Sequence, residues 1–256
     1  MPPDKITPLS VHGPGQTRAL FPRGLVQPAA SFRFAADALL LAAFARKQGA
    51  RPALDLGAGC GVVAFGLALR FAELPCLGLE REAALLDAAR ANALALGLDG
   101  RVSFVEGDLT DNALLERLGQ ASYGLVTANP PYHTEHSGRA PRSAVRQRAV
   151  QGPPELLAAF ARAASFLLCH HGRFACILPP TRLLELCLLL REAGLEPRRI
   201  RAVHARPGEQ ARRILLEARK NARPDMQMEA PLVLYAAQTG TELNQAALDF
   251  CPWLKK

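Results

Sequence analysis

Apolar positions along the chain change period several times. "ALDLGAG", "PCLGLER", "RVSFVEGD", "YGLVTANPPY" and "GRFACILP" are short, nearly continuous apolar runs that stop at turn residues, as buried strands do. Between them "VVAFGLALRFA" and "EAALLDAARANALALGL" carry helical spacing, the second with Gly97 near its end. Two further helices are predicted over residues 153–170 and 181–194. Ahead of the first strand, "FRFAADALLLAAFARK" (Phe32 to Lys47) predicts another helix, with Asp37 as its cap or in its first turn. In the tail, "RRIRAVHA", "ARRILLEARK" and "APLVLYAA" supply more strands. Strands alternating with helices imply right-handed βαβ units and a parallel sheet buried on both faces. The last strands have no long helix between them, which predicts an antiparallel pairing. The expected fold is α/β: a seven-stranded, mostly parallel sheet with an antiparallel C-terminal hairpin and helices on both faces. Residues 1–30, rich in Pro and Gly, read as an irregular arm. Residues 31–240 read as the folded domain, and 241–256 as a tail.

Composition narrows the function classes. None of the apolar runs in the 256 residues approaches the roughly 20 needed to span a bilayer. The first residues lack the apolar segment of a secretory signal, so a soluble cytoplasmic protein is expected. The six cysteines are scattered through apolar elements without a CxxC pair, which suits reduced core thiols and no metal. "CHHGRFAC" (Cys169 to Cys176) reads as a junction between a helix and a strand, without paired ligand spacing. The net charge of +8 fits a polyanionic partner or a simple compositional bias. Only the placement of the charge separates these.

"DLGAGCG" puts Gly57, Gly59 and Gly61 between a strand and a helix, with Asp55 opening the motif. Glycines let a backbone turn tightly and approach a ligand. A bare strand-to-helix turn has the same pattern, so the motif needs partners. Glu80 ends the second strand, where an acid can accept bonds from two ribose hydroxyls. Asp108 follows the third, where an acid can meet an adenine amine with Leu109 against the ring. At the carboxyl ends of successive parallel strands they outline one adenosine pocket. The turn lacks the Lys-Ser/Thr of a P-loop, so a nucleoside triphosphate is excluded, whereas a dinucleotide is not.

"NPPY" ends the fourth strand at the same rim. The Asn129 side-chain carbonyl and the Pro130 carbonyl are acceptors. Pro131 stiffens the turn, and Tyr132 offers a flat face. Two acceptors and a ring match a planar group bearing NH2. Accepting both hydrogens draws the nitrogen towards tetrahedral geometry and localises its lone pair. A sulfonium methyl held in line can then be attacked without a strong base. Asn129 is neutral and is assigned orientation. Asn129, Pro130, Pro131 and Tyr132 are the candidate catalytic residues.

The series "DLGAGCG", Glu80, Asp108 and "NPPY" resembles the Rossmann-like class I methyltransferases that use S-adenosyl-L-methionine on exocyclic amines, over about residues 30 to 237. More narrowly, "FRFAADALLLAAF", the Arg-rich stretch after NPPY and the basic tail resemble the bacterial family that methylates the exocyclic amine (N6) of an adenine in a valine tRNA anticodon loop. That resemblance implies S-adenosylmethionine as cofactor and Asp55, Gly57, Gly59, Gly61, Glu80, Asp108, Leu109 and Asn129 as its contacts. It also implies that Phe32, Arg33 and Asp37 help close over the methionine part. Family members show a Lys-x-Gly-Thr-Asp-like stretch where this chain has "SFRFAAD", which leaves the contacts of that segment open.

Arg139, Arg142, Arg146 and Arg148 follow NPPY with no acid among them and flank the amine pocket, so RNA phosphates are expected there. His133 could stack on or contact the substrate. Arginines between Arg198 and Arg223 are read as further phosphate contacts, with Glu209 and Glu217 the opposing acids. A target base must leave its stack, and a single-stranded loop makes that cheaper. A monomer acting on tRNA is expected. The motif fits a glutamine amide of a release factor equally well, although few residues precede the glycine turn to form a helical substrate domain. A guanine exocyclic amine of rRNA and a non-catalytic RNA-binding protein of the same fold are the other readings.

Overall fold

The computed structural model describes residues 21–28, 34–131 and 155–255. The elements run α1 (Ala36–Phe44), β1 (Ala53–Leu56), α2 (Val62–Arg70), β2 (Cys76–Glu80), α3 (Ala83–Leu96), β3 (Val102–Glu106), α4 (Asn112–Leu118), β4 (Tyr123–Ala128), α5 (Leu156–Leu167), β5 (Leu168–Leu178), α6 (Leu183–Glu192), β6 (Leu195–His204), β7 (Ala211–Lys220), β8 (Gln227–Met228), β9 (Leu232–Val233) and α7 (Gln245–Phe250). Strand order is β3-β2-β1-β4-β5-β7-β6-β8, with β9 also on β6. β1 to β5 are parallel, and β7 runs antiparallel to both β5 and β6. The seven-stranded α/β sheet is therefore as expected, with two short strands added at its edge. Of the C-terminal hairpin only β7 runs against the sheet.

β1 and β4 are buried along their whole length, which is why both read as unbroken apolar runs. α5 buries Leu157, Phe160, Ala161 and Ala164, spaced i, i+3, i+4 and i+7, on one face of the sheet with α4 and α6. α1, α2, α3 and α7 cover the other face. α1 and α2 touch at Gly66, where a Cβ would lie 2.6 Å from the Ala42 Cβ. That explains a glycine inside a helix. Trp253 packs edge-on against Phe21, with ring centroids 5.3 Å apart. It belongs to the packing.

Three readings change. Cys169 to Cys176 lies wholly inside β5, which begins directly where α5 ends. His171 takes a φ of +59° there, beside a register shift between β4 and β5. α4 and α7 were not predicted. They have only seven and six residues, too few for a helical period to stand out. The tail arginines are also largely committed inside the protein. Arg199 is buried, bonds Glu217, Glu229 and the Phe44 carbonyl, and stacks 3.7 Å over the Phe44 ring. Arg198 pairs with Asp225 at 2.6 Å, Arg206 bonds two carbonyls, Arg212 pairs with Glu209, and Arg213 pairs with Asp37 at 2.7 Å. Apart from Glu209, three residues before Arg212, their partners come from distant segments, so the local sequence does not show them.

Among the described residues no helix is long and apolar enough to cross a membrane. The six cysteines are unpaired, and five of them are buried.

Glu217 is 2% exposed and serves both Arg173 and Arg199. Breaking a buried pair by removing one partner costs about 3–5 kcal/mol. Glu217→Ala should lower the free energy of urea unfolding by about that much. A loss below about 1 kcal/mol would show a solvated network instead.

Candidate active site

The site is a cavity of about 260 Å³ at the carboxyl ends of β1 to β4. The strand order reverses between β1 and β4, and crevices form outside the strand ends at such a reversal. Gly57, Gly59 and Gly61 all have positive φ, at +69°, +57° and +94°. At Gly61 a Cβ would also sit 2.6 Å from the Phe65 ring and 2.8 Å from that of Phe104. Any side chain there would push the turn off the sheet.

Glu80, 7% exposed, closes the turn onto β2. Its Oε2 accepts from the Gly59 N–H at 2.8 Å, and its Oε1 from the Arg81 and Glu82 N–H groups at 2.9 and 3.0 Å. A carboxylate has about four acceptor sites, so roughly one remains, on Oε2. The acid faces the cavity as expected, but much of its capacity for two hydroxyls is spent on the protein's own backbone.

Asp108 is half-exposed on the cavity wall beside Glu80, where the Gly107 N–H donates to the Glu80 backbone carbonyl at 3.0 Å. Its Oδ1 accepts from the Thr110 N–H and Oγ1 at 2.9 and 2.7 Å. These bonds, and then the Arg81 guanidinium 3.9 Å away, hold its carboxyl below the ordinary carboxylate range. Leu109 lines the same wall.

Asp55 lies deepest. It is 3% exposed and accepts from Thr127 Oγ1 at 2.7 Å, while its Oδ2 is buried with no hydrogen-bond partner. Burial pushes its pKa up to about 7; the Thr127 bond opposes this and the nearby Glu80 charge adds to it. An orphaned acceptor lining a cavity is what a cationic amine requires. S-adenosylmethionine carries such an ammonium, and its ribose and adenine match Glu80 and Asp108. The donor set therefore fits this cofactor.

Asn129, Pro130 and Pro131 leave β4 directly onto the cavity, beside Phe160 of α5. Asp37, in the first turn of α1, lines it too, held by Arg213 of β7. The structure thus brings Asp37, Asp55, Gly57, Gly59, Glu80, Asp108, Leu109 and the start of NPPY into one cavity. Gly61 stands behind the others as the N-cap of α2. Arg33, Tyr132, His133, Arg139, Arg142, Arg146 and Arg148 lie outside the described residues.

Sequence reasoning missed Thr127, Phe160 and Arg213. Thr127 had a signal: it is a polar residue in an apolar strand, two before Asn129 and so on the same face. Arg213 had none, since it reads as one basic residue among many.

Among the described residues no group of three or more His, Cys, Asp or Glu is placed to hold a metal ion.

Residues 34–159 match the model of the methyltransferase small domain family. A tRNA1(Val) (adenine(37)-N6)-methyltransferase of Porphyromonas gingivalis is 32% identical over 199 residues, covering 75% of this chain and 76% of that one. A protein of the same name from Aeromonas hydrophila is 31% identical over 183 residues, covering 70% and 73%. A release factor glutamine methyltransferase of Chlorobaculum tepidum is 38% identical, but over 82 residues, covering 32% and 28%. Among solved structures, a protein of Agrobacterium tumefaciens described as a predicted O-methyltransferase superposes with a TM-score of 0.68 at 24% identity, covering 85% and 96%. A geranyl diphosphate C-methyltransferase of Streptomyces coelicolor superposes at 0.52 and 15% identity, covering 72% and 77%. These two share the fold. Taken with the cavity, the glycine turn and the Asn-Pro-Pro rim, the relatives show that the chain belongs to the family of class I methyltransferases that includes the bacterial tRNA1(Val) (adenine(37)-N6)-methyltransferases.

Proposed function

We propose that the protein is an S-adenosylmethionine-dependent methyltransferase that methylates the exocyclic amine (N6) of an adenine in a tRNA anticodon loop, in the cytoplasm. The observation that carries this is the Asn129-Pro130-Pro131 rim opening onto the cavity that holds Asp55, Glu80 and Asp108. Relatives named for this reaction match about three quarters of their own length to this chain. The release factor relative matches only a third of it.

Asp55 takes the cofactor's ammonium, Glu80 a ribose hydroxyl through its free Oε2 site, and Asp108 the adenine amine against Leu109. Asp37 and Arg33 close the methionine end. When bound, the cofactor supplies an electrophilic methyl on sulfonium. The chain's own part is to present the nucleophile. Asn129 and the Pro130 carbonyl accept the two amine hydrogens and localise the nitrogen lone pair. Pro131 stiffens that turn, and Tyr132 stacks on the base. Asn129 cannot take a proton at neutral pH, so the proton departs from the methylated nitrogen to water. His133 and the arginines at 139, 142, 146 and 148 hold the RNA around the extruded base.

Radiolabelled methyl transfer to total tRNA, total rRNA and release factors, followed by digestion and chromatography, tests the substrate. N6-methyladenosine in tRNA is expected, and methylglutamine in a release factor would overturn the reading. Asn129→Ala should lower kcat by about 10²- to 10³-fold with cofactor affinity intact. An equal loss of cofactor binding would make Asn129 structural.

Asp55 gives a pH dependence of known sign. Its pKa is raised on folding from 3.8 to about 7, so the folded apoprotein keeps a proton that the unfolded chain releases. That contribution to stability is present at acid pH and is lost as pH rises towards about 7. Cofactor affinity should rise over the same interval, because the ionised form attracts the ammonium. Asp55→Asn should flatten both dependences, stabilise the apoprotein at pH 8 and weaken cofactor binding by about 10- to 100-fold. Calorimetric titration and thermal melts between pH 5 and 8 measure them. An unchanged affinity in the variant would remove Asp55 from the cofactor site.

A further inference from the structure

Arg173 and Arg219 stand directly opposite each other on antiparallel β5 and β7. Like charges in that position repel and destabilise a ladder. Glu217 relieves Arg173 at 2.5 Å, but it also serves Arg199 at 2.9 Å. Arg219 receives no carboxylate among the described residues. Its only hydrogen bond to them runs from Nε to the His171 carbonyl at 3.2 Å.

These side chains, with Arg46, Arg198 and Gln227, line a separate cavity of about 80 Å³. It lies where α1 ends, since Arg199 bonds the carbonyl of Phe44, the helix's last residue. Among the described residues Glu217 is the one carboxylate on its wall. Adding Glu229 and Asp225, which pair with Arg46, Arg199 and Arg198, still leaves five guanidiniums facing three acids. Burial sharpens the imbalance. Arg199 is 5% exposed, and the Nε atoms of both Arg199 and Arg173 are buried without acceptors. A buried donor without a partner costs free energy that a bound anion would recover. Converging planar guanidiniums favour a tetrahedral oxyanion, and the space admits one.

The cavity is not part of the methyl-transfer pocket. Arg213 lines that pocket, and Arg219 lies six residues further along β7 on the same face, roughly 20 Å away at strand rise. A polynucleotide spans that distance and a lone nucleotide does not. We propose that the arginine cavity between α1, β5, β6 and β7 is a phosphate-binding site that holds a backbone phosphate of the RNA substrate, away from the base being methylated.

The inference rests on RNA being the substrate, and methyl transfer by the wild-type protein to tRNA checks that separately. The variant is Arg219→Gln, which breaks no ion pair seen among the described residues. Binding of total tRNA is followed across a salt series with both proteins, together with methylation kinetics and thermal melts. The variant should bind tRNA roughly three- to tenfold more weakly at physiological salt, with the slope of log K against log salt reduced by about one. The loss should fall on KM, with kcat at saturating tRNA and cofactor affinity kept. In phosphate-free buffer its melting temperature should not fall, because a repulsion has been removed. A wild-type protein that methylates tRNA while the variant matches it in affinity and salt slope would overturn the proposal. Titration with inorganic phosphate separates the sources. Protection of the wild type alone, with tRNA binding equal in both, would assign the cavity to free phosphate and overturn the RNA assignment.

Discussion

The bond between Thr127 and Asp55 sits where the rest of the site is decided. It joins β1 to β4 across the point at which strand order reverses, between residues in direct register. On the β1 side the chain turns through the glycines towards the cofactor. On the β4 side it turns through Asn129 and the prolines onto the same cavity. Successive side chains alternate faces along a strand, so fixing Thr127 also fixes the face that Asn129 presents. A slip of one residue at this bond would turn the asparagine away from the cavity. The bond is made by a carboxyl group that burial makes costly to ionise. Strand register and a buried carboxyl at the cavity floor are thus tied to one group, which neither a valine nor a leucine could replace.

Around that pair the work is divided unevenly. Glu80 is largely engaged by its own loop, three of its acceptor positions being filled by the Gly59, Arg81 and Glu82 N–H groups. Its first task is to fold the glycine turn against β2, and its remaining lone pair is what faces a ligand. Asp108 is the converse. Thr110 orients one of its oxygens, while the carboxylate stays half-open to the cavity. The deep acid shapes the turn and the shallow one is more available for recognition.

The centre of the sheet was legible because β1 and β4 are buried along their whole length and end sharply at Gly57 and Asn129. The three glycines, Glu80, Asp108 and Asn129 were legible because they lie at or just beyond the carboxyl ends of apolar runs. Arg213 and the true duties of Arg199 were not. Both are ordinary residues of a basic stretch whose partners, Asp37, Glu217 and Glu229, arrive through the fold. α4 and α7 escaped because a helix of six or seven residues completes fewer than two turns. Periodicity reports burial over distance. It cannot see a contact made by one side chain, or an element too short to repeat.

Charge shows the same limit. A net charge of +8 does not say where a polyanion rests. Once the tail arginines are followed to their acceptors, most belong to the architecture. Arg199 is stacked, buried and paired, and Arg206 caps carbonyls. What matters for a phosphate is the excess left after such pairing, since a guanidinium already satisfied by a carboxylate offers little to a second anion. By that measure the basic character of β6 and β7 contracts to one place, where Arg173 meets Arg219 across the ladder with Glu217 shared between Arg173 and Arg199. A sheet selected for stability alone would not set two arginines face to face. Their opposition is more economically read as half of an interaction whose other half is an anion.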